Sequence, residues 1–401
     1  MIKKISENAL SLWILLFSAG IITIGSIPIK LIILMFFIIG VLILLKDKET
    51  IIFKNKWSVF FLFLWSIIAS FIGSINGFNK SLIDQDLSLF STFIIVISVF
   101  LLYENDLLNI IKIQKIIYYT AFLGILIKVF LGFGILYGIV SPVVIQNTMQ
   151  NIFGSKAFDI GLGWGFLGIL PRIGDAGALF NIIVYFFYVK KYNGGSLFIW
   201  LLVFLFILVG YSRYLIACFS LITMYLVIVK IKGFKLNIKS ILSFVVMSIV
   251  IFFIILNLDF SMLYDGFYER YMGTGQDISD STRELQYIYL ISYIKENYIL
   301  GFGLGGYAWE CIRSNNHLWQ YELEYLALFM QLGVIGFLLV VINFVYYFLN
   351  RLLNNYDKKY KIPMLCSFLF WVITPFQSSL FIGTVSGLIL ITIYSLSRKI
   401  N

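Results

Sequence analysis

Runs of about 20 consecutive apolar residues recur along nearly the whole chain, separated by short charged or polar punctuation. A run of that length is what an α-helix needs to cross the roughly 30 Å hydrocarbon core of a bilayer. Inside that core the backbone finds no water, so a spanning segment must be a helix or part of a closed barrel. Barrel strands are short and alternate polar with apolar residues, whereas these runs are continuous. The runs therefore predict an all-α polytopic membrane protein. Composition agrees: 61% of the 401 residues are hydrophobic and 12% charged, against about a quarter charged in a soluble domain. An ordinary soluble globular protein is excluded, and so is a disordered chain.

Reading the runs between charges predicts about twelve spans, near 9–27, 29–45, 57–76, 87–103, 113–134, 176–189, 196–210, 214–230, 240–257, 323–349, 363–380 and 381–396. Residues 1–401 then form a single membrane domain, with a long loop subdomain, 258–322, inserted before the tenth helix. Met1-Ile2-Lys3-Lys4 ahead of an apolar run is similar to a signal peptide, but no small-residue cleavage site follows, so the segment is expected to be the first span. Lysines test the topology. With both termini inside, the inner segments carry 18 Lys and 2 Arg, and the outer segments and spans carry 5 Lys and 5 Arg. That is the positive-inside bias of a multi-pass protein. The net charge of +10 is largely accounted for by it, so no nucleic-acid partner is expected. Topology needs only positive charge, and lysine would serve; arginine suits a site that must grip phosphate or carboxylate with a planar fork. The outward arginines thus point to an anionic ligand on the outer face, with local salt bridges as the alternative.

Two outer segments are long, 135–175 and 258–322. The second is densest in polar groups. Within it Ser281-Thr282-Arg283-Glu284 fits a capping box, Ser281 as N-cap and Glu284 at the third helical position. Leu285, Ile288, Tyr289 and Ser292 share one face of the helix that follows, as an interfacial helix would arrange them. His317, the single histidine, lies in Ser314-Asn315-Asn316-His317-Leu318. Asn316 could cap a helix running into the tenth span, which places His317 in a first turn. A helix start and nearby arginines both disfavour imidazolium, and a neutral ring suits a general base. A structural hydrogen bond is the alternative, and Glu310, Glu322 and Glu324 are further candidate bases.

Arg283, in the first turn of its expected helix, would make an anion site with the helix N-terminus. Arg213 follows Gly210-Tyr211-Ser212 at the outer end of one span; Arg172 stands at the outer start of the sixth, and Arg313 lies in the long loop. Salt bridges, with Asp175 or Glu284 as partners, are the competing explanation for such residues. Gly301-Phe302-Gly303-Leu304-Gly305-Gly306 looks like a dinucleotide loop by eye, but no βαβ context surrounds it, and a tight turn is expected instead. Asp84-Gln85-Asp86 is similar to metal-binding acidic pairs of some lipid-dependent glycosyltransferases; helix capping before the fourth span is the preferred reading. Cys218 and Cys366 fall in apolar spans and Cys311 in a polar segment, so neither a disulfide nor a metal site is expected.

The order of these motifs resembles that of the O-antigen polymerase and O-antigen ligase superfamily of membrane glycosyltransferases. The resemblance runs through Ser212-Arg213, Thr282-Arg283, the glycine-rich turn Glu296–Gly305, Asn316-His317, and the Met330–Gly336 segment with its Leu332-Gly333-Val334-Ile335-Gly336. It covers about 205–340 and is architectural elsewhere; Tyr298 stands where many relatives have proline. The resemblance implies a helical fold like that of the GT-C glycosyltransferases, in the bacterial inner membrane, with both termini cytoplasmic and the active face periplasmic. It implies undecaprenyl-pyrophosphate-linked oligosaccharides as donor and acceptor, no metal and no cofactor, and a chain-length regulator and a flippase as partners. It assigns His317 as the base, and Arg213 and Arg283, with Arg172 and Arg313, to the pyrophosphate. Polymerase is the first reading and ligase, which transfers the polymer to lipid A-core, the second. A lipid-linked oligosaccharide flippase or other transporter is the alternative of another class. Against transport, the chain shows neither short outer loops nor repeated halves.

Overall fold

A computed structural model describes residues 2–18, 29–46, 56–87, 274–312 and 321–343, with shorter stretches and single positions between 98 and 148, at 202–205, 219–220, 318 and 349, and between 368 and 376. These residues are helical, joined by turns and one 3-10 segment, and no strand occurs among them. The main helices are α1 (Ile2–Ser18), α2 (Ile29–Lys46), α3 (Lys56–Ile75), α4 (Thr274–Glu296) and α5 (Glu324–Val341). Among the described residues one helix, α5, is long and apolar enough to cross a membrane; Met35–Lys46 and Phe60–Ile75 are shorter apolar stretches. The fourth to ninth and last two expected spans lie largely outside the described residues.

The chain divides into two compact units, one of Met1–Ala9, Leu34–Lys112 and Ile278–Asn401, the other of Leu10–Ile33 and Ile113–Asp277. α3, α5 and α4 from Ile278 onward belong to the first. The expected bounds of the second and third spans agree with α2 and α3 to within a residue. α1 begins earlier than expected, because the helix runs through its polar N-terminal turns; there the Ser6 hydroxyl donates to the Ile2 carbonyl at 3.2 Å.

α3 owes its orientation to small residues. Leu62, Ser66, Ala69 and Gly73 repeat at helical spacing along its buried face, while Phe60, Phe63, Leu64, Ile67 and Phe71 are exposed. Three of its serines satisfy themselves locally: Ser66 donates to the Phe63 carbonyl (2.7 Å), Ser70 to Ser66 (2.9 Å) and Ser74 to Ser70 (3.1 Å). The helix closes in a Schellman arrangement, Phe78 N–H to the Gly73 carbonyl (3.1 Å) and Gly77 N–H to Ser74 (3.2 Å). A short helical stretch, 80–87, follows at once, capped by Asn79, whose side-chain oxygen accepts the Ser81 N–H at 3.0 Å.

α5 packs against α3 and carries a break that its apolar run does not announce. Gly333 has φ 63 and ψ −177, so the helix is two segments meeting at this residue. A side chain there would sit in the left-handed region and press on the Ile299 and Leu300 backbone.

Candidate functional site

The break in α5 leaves carbonyls without their usual partners, and the glycine-rich turn supplies most of the replacements. Phe302 N–H donates to the Met330 carbonyl at 2.8 Å and Gly303 N–H to Gln331 at 2.9 Å. The indole Nε1 of Trp65, on α3, donates to Leu332 at 2.9 Å. In return, Val334 N–H donates to the Tyr298 carbonyl at 3.0 Å. The turn also bonds α3, through Leu304 N–H to Ala69 (3.0 Å) and the Asn76 amide to the Phe302 carbonyl (2.8 Å). Such approach needs glycine: a Cβ on Gly303 would overlap the backbone of Gly73 and Ala69. The tight turn expected of residues 301–306 is observed, with α3, α5 and the 80–87 stretch all bonded to it.

Asp86 is the most deeply buried acid among the described residues. It is 2% exposed, and its Oδ2 accepts the Gly305 N–H at 2.8 Å. Burial pushes its carboxyl up to about 7, a shift the Gly305 hydrogen bond partly offsets. Asp84, two residues earlier, is exposed. The capping expected of this acidic pair is not observed: Asn79 caps the stretch, and Asp86 lies inside it holding the glycine-rich turn. Nothing in the local spacing could have shown this, because the bonded partner lies 219 residues away.

The second part of the site joins α4 to the start of α5. Arg283 is in the third turn of α4, since the helix begins at Thr274; Ser281 does not cap it, and Arg283 is not at a helix N-terminus as expected. A continuing helix is supported by the Asp280–Arg283 pair at i, i+3, 3.0 Å apart, and the Arg283 Nε donates to Glu322 at 2.7 Å. One turn on, the buried Gln286 accepts the N–H groups of Glu322 (3.0 Å) and Leu323 (3.4 Å) through Oε1. That is a cap delivered from another helix. α5 accordingly starts at Glu324, so Asn316 does not cap it; residues 313–317, with His317 and Arg313, lie outside the described residues, as do Arg172 and Arg213.

The candidate bases are thus differently placed. Glu322 is held by Arg283; Glu324 is buried in the first turn of α5; and Glu310 is exposed, accepting from the Tyr293 hydroxyl at 3.1 Å. Burial is the main cause of the raised Tyr293 pKa, with Glu310 adding to it. The Tyr321 hydroxyl accepts the Ala308 N–H at 2.7 Å and donates to the Ala308 carbonyl at 3.3 Å, tying the end of the turn to the approach to α5. Cys311 is pushed up to about 11, chiefly by burial, so its thiol stays protonated and is no nucleophile at neutral pH. Leu82, Leu290, Ile294, Tyr307, Tyr321 and Met330 form the apolar centre beneath these groups.

The two carboxylates paired with Arg283 matter for what it can bind. Asp280 and Glu322 together already exceed its single positive charge, so an incoming phosphate must displace at least one of them or draw on further cations. The salt-bridge reading of Arg283 is the one the side chain adopts here, with Asp280 and Glu322 as partners in place of Glu284. Compared with known protein families and with curated proteins, the chain matches none.

Proposed function

We propose that the chain is a membrane glycosyltransferase of about twelve spans with a GT-C-like helical arrangement: an O-antigen polymerase working on the periplasmic face of the bacterial inner membrane. The observation that carries this reading is convergence. Of the motifs whose order resembles the superfamily, Arg283, the Glu296–Gly305 turn and the Leu332–Gly336 segment belong to one hydrogen-bonded unit, although they are spread over the chain from 283 to 336. The exposed apolar faces of α2 and α3 favour a lipid surround, since helices apolar all round are those of membrane spans. Positive-inside counting assigns 77–86 and 258–322 to the same side, in keeping with the Asn76–Phe302 and Asp86–Gly305 bonds.

In the proposed reaction a sugar hydroxyl of one undecaprenyl-pyrophosphate-linked repeat unit attacks the anomeric carbon of another. The new glycosidic bond forms as the bond to the lipid pyrophosphate breaks, and undecaprenyl pyrophosphate leaves. His317 takes the proton from the attacking hydroxyl. Arg213 and Arg283, with Arg172 and Arg313, stabilise the charge on the leaving pyrophosphate. Arg283 takes part by exchanging Glu322 or Asp280 for phosphate oxygens. Glu322 is the weaker alternative base, because its pairing with Arg283 occupies its oxygens. The test is the surface polysaccharide of a deletion strain complemented with wild type or His317→Ala. Core capped by a single repeat unit after deletion supports polymerisation, and His317→Ala should restore little polymer, since a positioned base contributes on the order of a hundred- to ten-thousand-fold. Bare core with accumulated lipid-linked polymer identifies a ligase instead, and an unchanged profile removes the chain from this pathway.

A further inference from the structure

The glycine-rich turn joins α5 deep in the helix, far from its end. Gly333, where Tyr298 and Val334 meet, lies roughly 13 Å along the axis from Glu324 at the α-helical rise. Its other neighbour gives the same depth: Trp65, bonded to Leu332, lies roughly 15 Å from the end of α3 at Ile75. Backbone N–H accounting is complete, as membrane depth would require. Six consecutive N–H groups, Gly301 to Gly306, all have protein acceptors: Asn297, Met330, Gln331, Ala69, Asp86 and Gly303. The Tyr298, Phe302 and Gly306 carbonyls are paired as well, the last with the Gln331 amide at 3.0 Å. Burial in protein demands such completeness, and irregular backbone at membrane depth requires it as well. At the tip, Tyr298, Ile299 and Leu300 are all exposed, as are Ile335 and Leu338 on α5 and Phe71 on α3.

Resting on the reading that α3 and α5 cross a membrane, we infer that the end of α4 and the glycine-rich turn form a re-entrant hairpin that dips into the outer leaflet, its Tyr298–Leu300 tip against lipid acyl chains. Lys295 and Glu296 are exposed just above the tip, and their long stems carry the charges toward the headgroups. The hairpin places the start of α5 and Arg283 at the lipid–water boundary, where a lipid-anchored headgroup would lie.

Spin labels test this on the full-length protein in nanodiscs, with the three native cysteines replaced and single cysteines at Ile299, Leu338 or Glu284. Collision with oxygen, which concentrates in lipid, is compared with collision with a water-soluble nickel chelate. Ile299 should read like Leu338, with high oxygen and low nickel accessibility, and Glu284 should read as aqueous. Leu300, equally exposed, serves as a second tip site should a label at Ile299 disturb the fold. An aqueous tip beside a lipid-facing Leu338 overturns the hairpin and leaves the membrane reading intact. Aqueous signals at both overturn the membrane reading itself.

Discussion

α2 and α5 are nearly matched as text, each 18 residues and almost wholly apolar, yet the structure uses them in opposite ways. α2 buries a narrow stripe of mostly large residues, Ile33, Phe37, Val41 and Leu45, with Gly40 alone seated close against Ser6, and leaves Met35, Phe36, Ile39 and Leu42 exposed. α5 buries Ala327, Met330, Gln331, Leu332, Gly333 and Gly336 and interrupts its own hydrogen bonding to receive another segment. The difference is in residue size. Where glycine and alanine line the face, backbones approach closely enough to exchange hydrogen bonds; where large aliphatics line it, they do not. Hydropathy sees both helices alike, and the glycine-rich turn docks on α5 where side chains are missing.

The comparison breaks first at Gly333. Gly333→Val puts a β-branched residue at a left-handed φ against the Ile299 backbone, and should cost about 4 kcal/mol or more, read as lost folded yield and a collapsed apparent Tm in detergent at a fixed scan rate. Recovery of normal Tm would mean that α5 can run straight and the turn docks elsewhere. Next in size is Trp65→Phe, which keeps an aromatic ring but loses the indole N–H and orphans the Leu332 carbonyl. A loss of about 1–3 kcal/mol is expected, and none if water reaches that carbonyl.

Asp86 gives a smaller, pH-dependent effect. Its carboxyl titrates near 7 in the fold against 3.8 unfolded, so the folded state holds the proton more tightly between those values. Stability from this group is therefore greatest in acid, falls as pH rises from about 4 to 7, and is level above; the full change is roughly 1–4 kcal/mol. Asp86→Asn should flatten that slope in thermal melts across the window, and a slope unchanged by the substitution would assign it to another group. The smallest effect belongs to α2: Phe36→Leu, on its exposed face, should move stability by no more than about 0.5 kcal/mol. A larger loss would show that this face is covered by protein, and the contrast with α5 would narrow.

Legibility in the sequence followed the distance between partners. α2 and α3 were readable because lysines and turn residues mark their ends within the apolar text itself. The capping box at Ser281 failed because its signature is local: the same Ser-x-x-Glu inside a helix is harmless when Ser281 is exposed and Asp280 pairs with Arg283. The break at Gly333 was hidden for the converse reason. Glycines in an apolar run, as at 333 and 336, are usually tolerated within a helix, and only the turn that docks there reveals the use of Gly333. Asp86 and Gln286 act on backbone far along the chain, so no spacing rule could find them. The turn at 301–306 was legible as a turn, while its acceptors on α3 and α5 were not.

Trp65 and Leu332 are separated by 267 residues, and at ordinary rates of synthesis that distance is a wait on the order of 10–50 s between the emergence of α3 and the arrival of its partner. For that interval α3 must persist alone. Ser66, Ser70 and Ser74 already bond to carbonyls within their own helix, so these three hydroxyls need no later partner while the ribosome works on. The interlocking turn, by contrast, depends on its partners from the moment it appears, and it is made just before α5 completes the set. The order of the sequence thus doubles as an assembly schedule, in which the helix whose serines bond within it is made early and the helix that receives the turn follows the turn.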